Sequence, residues 1–204
     1  MSDLQCAVRV LVARHGEADY ETDVLTDHGG SLTALGRKQA AGLAESLAGE
    51  RIAHVYVSSK SRAVQTGEIV AASLGVGVTV REALQEFSVG AYAGQPVDPD
   101  PFSSTFTSWL GGDLAARIAG GETGVEVVDR LSGVLAEIAD AHRGEAVLVI
   151  SHGGVMCMAL PHVAGNLTPT FSQGRPVDNC AVVRLDVDDD GWAARSWAGE
   201  DVPL

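Results

Sequence analysis

Cysteine is scarce in this chain: Cys6, Cys157 and Cys180 are the only three, an odd number with no Cys-x-x-Cys spacing. Neither a disulfide framework nor a thiolate zinc site is indicated. Cys157, within Val155-Met156-Cys157-Met158-Ala159-Leu160, reads as a small buried hydrophobe. Basic residues are also few, 14 Lys and Arg against 27 Asp and Glu, for a net charge of -13. Nucleic acids and anionic membrane surfaces reward clustered cations, so neither is expected as a partner. No apolar run approaches the length of a transmembrane helix. The start, Met1-Ser2-Asp3-Leu4-Gln5-Cys6, lacks the basic and long apolar regions of a secretion signal. A cytoplasmic location is the expectation.

What remains is 204 residues with 46% hydrophobic content, enough for a substantial core, and no composition shift that marks a boundary. One domain spanning 1–204 is expected. Strand patterns fall near Ala7–Ala13, His54–Val57, Val78–Val80 and Ala146–Ile150, and helix patterns over Ala34–Leu47, Ser59–Leu74, Gly124–His142 and Gly154–Val163. In the longest helix Val125, Val128, Leu131, Leu135 and Ile138 read as the buried stripe, and Thr123 with Glu126 forms a capping box. Ala181–Val187 and Trp192–Trp197 read as a hairpin around an Asp-Gly turn, where Asp188, Asp189 and Asp190 are solvated turn residues and not metal ligands. This alternation predicts an α/β class protein, a three-layer α/β/α sandwich with a mostly parallel central sheet.

Two of the expected strands end in histidine. Val8-Arg9-Val10-Leu11-Val12-Ala13 runs into Arg14-His15-Gly16-Glu17, and Val147-Leu148-Val149-Ile150 runs into Ser151-His152-Gly153-Gly154. Parallel strands present such residues to one crevice at their carboxyl ends. Glycine lets backbone approach a ligand there, and the start of the following helix suits phosphate. Arginine matches phosphate oxygens bidentately, and a neutral imidazole is a usable nucleophile, so Arg14 with His15 suggests phosphoryl transfer through a phosphohistidine.

Other segments agree, although each alone has a plain structural reading. In Val55 to Thr66, serines at 58, 59 and 61 are able to cap a helix, which places Arg62 in its first turn; an arginine there also suits a solvated face. In Leu84 to Gly94, Glu86 lies among apolar and aromatic neighbours that would raise its pKa and suit a general acid; alone it is an ordinary loop glutamate. His28, His54, His142 and His162 have no motif around them and read as structural or exposed.

Arg14-His15-Gly16-Glu17, Leu32 to Ala40, Ser58 to Thr66, Leu84 to Gly94, Gly120-Gly121-Glu122-Thr123 and Ser151-His152-Gly153-Gly154 together resemble the histidine phosphatase superfamily, in the branch of phosphoglycerate mutase and its phosphatase relatives. The resemblance implies that His15 is the nucleophile and Glu86 the proton donor. It further implies that Arg14, Arg62 and His152, the last as an imidazolium, surround the phosphoryl group, with Gly153 beside it. Neither metal nor cofactor is implied, and a homodimer is compatible with the family. Ala18 and Glu21 depart from the usual Ser or Thr and Asn, which puts extra phosphate contacts near the nucleophile in question. Ser59 and Lys60 stand where Pro and Leu are usual.

The stretch 95–121 corresponds to an insertion that covers the active site in the family. Its Phe102, Phe106 and Trp109 fit a substrate wall and a packed lid equally well. The resemblance implies a phosphomonoester hydrolase acting on a small phosphorylated metabolite. The alternatives are phosphoglycerate mutase-type transfer and a non-catalytic phospho-ligand binding module. Mutases of the family look longer, with basic insertions that grip a doubly charged ligand, so for this short, acidic chain the resemblance favours hydrolysis.

Overall fold

The computed structural model describes residues 7–20 and 22–203. Cys6, Glu21 and the rest of the amino-terminal stretch read above lie outside the described residues. In chain order the elements are β1 (Val8–Arg14), β2 (Ala18–Asp19), β3 (Ser31–Leu32), α1 (Ala34–Leu47), β4 (Ile52–Val57), α2 (Ser61–Leu74) and β5 (Gly77–Val80). There follow α3 (Ser103–Leu110), α4 (Gly124–Ala141), β6 (Ala146–Ser151), α5 (Gly153–Val163), β7 (Val182–Asp188), β8 (Gly191–Trp197) and β9 (Glu200–Asp201).

Seven strands form one sheet in the order β5-β4-β6-β1-β7-β8-β9. β5, β4, β6 and β1 are parallel, while β7, β8 and β9 extend the sheet antiparallel. Alternation along each strand divides the core between the two faces. Leu11, Ala13, Val55, Val57, Leu148 and Ile150 pack with α1 and α2, whereas Val10, Val12, Val147 and Val149 pack with α4 and α5. The layers are therefore α/β/α, around a mixed, mostly parallel sheet. The central strands read as continuous apolar runs because both of their faces are covered. Among the described residues no helix is long and apolar enough to cross a membrane.

Three local expectations need correction. In α4 the buried residues include Val127, Leu131, Val134, Leu135 and Ile138, whereas Val125 is 47% exposed. Val125 precedes Val127 by two residues, more than half a turn round the helix, so both cannot face the sheet. The Thr123–Glu126 capping box is present in both directions. The serines before α2 do not cap it: Lys60 is the N-cap, with no side-chain bond to the helix. The hairpin turn is Asp189-Asp190, with Gly191 already the first residue of β8 at φ 117°.

The stretch 95–121 contains α3, which local pattern alone did not reveal. Trp109 of α3 is buried, donating its indole N–H to the Ala116 carbonyl at 2.8 Å, and Phe87 packs edge-on against it at 5.3 Å. The other two aromatics face outward to the site described next.

Candidate active site

Strand register alone brings the site together. Arg14 of β1 pairs with Ser151 of β6, and Val57 of β4 pairs with Ile150, so the next residues, His15, His152 and Ser58, emerge side by side at the carboxyl edge. β6 enters between β1 and β4 although it comes after both in the chain, which makes this edge a switch point of the sheet. The backbone after β1 is then fixed by the first helix. Glu17 N–H donates to Gln39 Oε1 at 2.7 Å, and Thr33, the N-cap of α1, donates its hydroxyl to Glu17 Oε1 at 2.7 Å. Gly16 N–H donates to Thr66 Oγ1 of α2 at 3.0 Å.

A cavity of about 300 Å³ opens at this edge, lined by Arg14, His15, Tyr20, Arg62, Glu86 and Gly153 among others. His15 is 5% exposed. Its Nδ1 donates to the Gly16 carbonyl at 2.7 Å, since a carbonyl only accepts, and this leaves the lone pair on Nε2. Arg62 Nε donates to that Nε2 at 3.0 Å, and its Nη1 donates to the Gly29 carbonyl at 2.7 Å. Burial, assisted by Arg62 and Arg14, lowers the His15 pKa to about 3, so the ring is neutral at physiological pH. Arg14 is held by the Val177 carbonyl at 2.9 Å.

His152 sits behind His15, their ring centroids 5.1 Å apart, and is 1% exposed. Its Nε2 bonds Ser58 Oγ at 2.7 Å. The expected imidazolium is corrected: burial first, then the charge of Arg62, holds its pKa well below the ordinary histidine value. Arg14 Nε and His152 Nδ1 are buried without a protein partner. Buried polar atoms are rarely left so, and phosphate oxygens are acceptors suited to both.

Glu86 stands at the rim and accepts N–H bonds from Gly154 at 2.9 Å, Val155 at 2.7 Å and Phe87 at 3.3 Å. Burial raises its pKa, and these donors together with Arg62 only partly offset that. The Gly153-Gly154 pair makes both approaches sterically feasible. A Cβ on Gly153 would lie 3.2 Å from Arg14 Cδ, and one on Gly154 would lie 2.8 Å from Glu86 Oε2. Glu122 does not reach this cavity. It accepts Arg130 Nε at 2.8 Å and Nη2 at 3.1 Å, while Arg130 Nη1 donates to the carbonyls of Ala83 and Gln85. Glu122 thus positions the segment that carries Glu86.

The structure accordingly gathers Arg14, His15, Arg62, Glu86 and Gly153 around one cavity, with His152 directly behind. Sequence reading missed Tyr20, whose ring lies 5.4 Å from the Arg62 guanidinium carbon, and Asn179, which donates to the His15 carbonyl at 2.9 Å. Tyr20 stands two residues from the Ala18 departure, and Asn179 comes from the loop before β7, so neither had a motif to mark it. Phe106 also lines the cavity, while Trp109 is core, so the inserted aromatics divide between the two roles left open. Among the described residues no three His, Cys, Asp or Glu side chains gather to hold a metal ion.

The depressed His15 pKa has a consequence for stability. Folded His15 stays neutral while an unfolded histidine takes up a proton below its ordinary 6.5, so folding stability falls with pH from about 6.5 toward 3. At pH 5 the loss from His15 is about 2 kcal/mol relative to pH 7 or above. Denaturant unfolding at pH 7 and pH 5 should show a smaller loss in His15→Gln than in wild type. An identical loss in both proteins would contradict a buried neutral His15.

Comparison with known proteins identifies the family. The model of the histidine phosphatase superfamily (branch 1) matches residues 10–199. Curated relatives include the probable phosphoglycerate mutase GpmB of Salmonella choleraesuis (strain SC-B67), 27% identical over 200 residues, covering 95% of this chain and 91% of the relative. Among solved structures, a mycobacterial glucosyl-3-phosphoglycerate phosphatase superposes with a TM-score of 0.77 at 24% identity, covering 94% of this chain and 99% of that one. A putative alpha-ribazole-5'-P phosphatase from Escherichia coli gives a TM-score of 0.75 at 21% identity over 97% and 98%. At these identities the solved structures speak to the fold alone. The family model, which runs from within β1 to the turn after β8, places this chain in the histidine phosphatase superfamily, branch 1.

Proposed function

We propose that the protein is a phosphomonoester hydrolase that works through a phosphohistidine on His15, with small phosphorylated metabolites as its partners. The observation that carries this reading is a neutral His15 of defined tautomer in a cavity walled by Arg14, Arg62 and Glu86.

The ester phosphate takes the guanidinium groups of Arg14 and Arg62, which draws Arg62 Nε off His15 Nε2 and frees the lone pair. Nε2 attacks phosphorus, the P–O bond to the organic group breaks, and Glu86 gives its proton to the departing oxygen. Charge in the loose transition state spreads over the equatorial oxygens, where preplaced arginines stabilise it most. Glu86, now a carboxylate, takes a proton from the water that attacks phosphohistidine, and inorganic phosphate leaves with His15 neutral again.

Mutase-type transfer is the second reading, because the GpmB relatives carry the name probable phosphoglycerate mutase. Release of phosphate from p-nitrophenyl phosphate, measured with interconversion of 3- and 2-phosphoglycerate on the same sample, separates the two. The expected result is phosphate release that EDTA does not slow, since the arginines supply the positive charge. Interconversion faster than phosphate release would favour the mutase, and loss of activity to chelator restored by Mg²⁺ would overturn the proposed site.

A further inference from the structure

A second cavity, of about 290 Å³, adjoins the phosphate cavity and shares Tyr20, Arg62 and Glu86 with it. Arg62, which the phosphatase reading assigns to the phosphate, and Glu86, which it makes the proton donor, thus stand at the junction of the two cavities. The organic part of the substrate therefore continues into this second cavity. Most of its wall is apolar, from Val24, Leu25, Phe87, Val89, Val97 and Phe102, with Thr22, Thr26, Asp27 and Lys60 completing the lining.

The chain builds this slot from two distant segments. Val24 bridges Pro96 in a short antiparallel pairing, Leu25 N–H donates to the Gln95 carbonyl at 2.8 Å, and Val97 N–H to the Asp23 carbonyl at 3.2 Å. Among the described residues seven large hydrophobic side chains are notably exposed, and three of them, Tyr20 at 52%, Val24 at 38% and Val97 at 50%, line this one cavity. Apolar groups left together in water at a ligand cleft mark a surface that a ligand covers.

Charge points the same way. A substrate with a second anionic group needs a free cation beyond Arg14 and Arg62. Lys60 also lines the slot, but it donates to the Asp27 carbonyl and shares the slot with the carboxylate of Asp27. The Asp27 carboxylate accepts from Ser88 Oγ at 2.8 Å and from Val89 N–H at 2.9 Å, which fixes it in place. Arg130, in the polar cavity on the other side of Lys60, is committed to Glu122 and two backbone carbonyls.

We propose that the preferred substrates are phosphomonoesters of apolar alcohols with an aromatic or branched group, and not phosphates bearing a second anionic group. The inference rests on the phosphatase reading above for its assignment of the phosphate position. A dry cavity of about 150 Å³ accommodates benzene, so a slot of this size takes a phenylalkyl or bicyclic group.

The test compares ethyl phosphate, 2-phenylethyl phosphate and 3-phosphoglycerate by kcat/KM, and ethylphosphonate with 2-phenylethylphosphonate by calorimetry. The two alkyl esters leave as alkoxides of similar basicity, so their ratio reports the slot. Burial of a phenyl group predicts a ratio of about 30 in favour of 2-phenylethyl in both measurements. Val97→Asp should reduce the ratio to within about threefold, while Val125→Asp, an exposed valine on α4, leaves it unchanged.

Equal values for the two alkyl compounds, or 3-phosphoglycerate above 2-phenylethyl phosphate, overturn the inference. If all esters turn over without preference, the phosphatase reading stands and the inference falls. If none turns over but the phosphonates keep their ratio, the slot stands and the hydrolytic reading falls. Failure of both phosphonates to bind removes the phosphate site and the inference with it.

Discussion

His15→Ala is expected to lower turnover by at least on the order of 10⁴-fold and to abolish phosphoenzyme formation, the scale seen when a covalent nucleophile is lost. Of the two adjacent histidines only His15 has Nδ1 committed to a backbone carbonyl and Nε2 in the cavity; His152 Nε2 is tied to Ser58 Oγ. Trapping with labelled aryl phosphate, followed by acid and alkali treatment, should therefore yield an acid-labile, alkali-stable label in wild type and none in His15→Ala. His152→Ala should still label, more slowly. Folding of His15→Ala, followed by circular dichroism, should persist, because the lost contacts are two hydrogen bonds at a cavity edge. Wild-type labelling in His15→Ala would end the assignment.

Glu86→Gln should slow phosphoenzyme formation from an alkyl phosphate by about 10²- to 10⁴-fold, the range of general acid catalysis. A nitrophenyl ester should be affected far less. The alkoxide is strongly basic and needs the proton as it departs, whereas nitrophenolate leaves without one. The pH dependence follows from the same group. Burial raises the Glu86 pKa, and the acid form is the active one in the first step, so the alkyl ester rate should decline as pH rises through that raised value. Single-turnover rates for both esters decide the matter, with Glu122→Gln as the comparison. Glu122 acts through Arg130 on the Gln85–Glu86 backbone, so its loss should slow both esters alike. Equal slowing of both esters by Glu86→Gln, with selective slowing by Glu122→Gln, would move the acid to Glu122.

Much of this protein was legible in local pattern. Strands buried on both faces declare themselves as apolar runs, and Val10–Ala13 within β1 and Ala146–Ile150 within β6 did so without any tertiary information. Thr123 marked the start of the longest helix because capping is a bond within four residues of chain. Arg14, His15, Arg62 and His152 were found because each sits at the end or start of such an element. Helix α3 was not, since Ser103–Leu110 is only eight residues rich in Ser and Thr, and its helicity rests on Trp109 packing below it.

The amino-acid sequence by itself determined the central strands, the longer helices, and which residues stand at strand ends and helix starts. These follow from interactions between near neighbours. Only the tertiary structure decided that β6 enters between β4 and β1, that His152 is neutral behind His15, that Glu122 supports and Glu86 lines the site, and that residues 22–27 meet 94–97 to form an apolar slot. Each of those depends on desolvation and hydrogen bonds between groups far apart in the chain, and such energies arise only once folding has brought the groups together and removed the water between them.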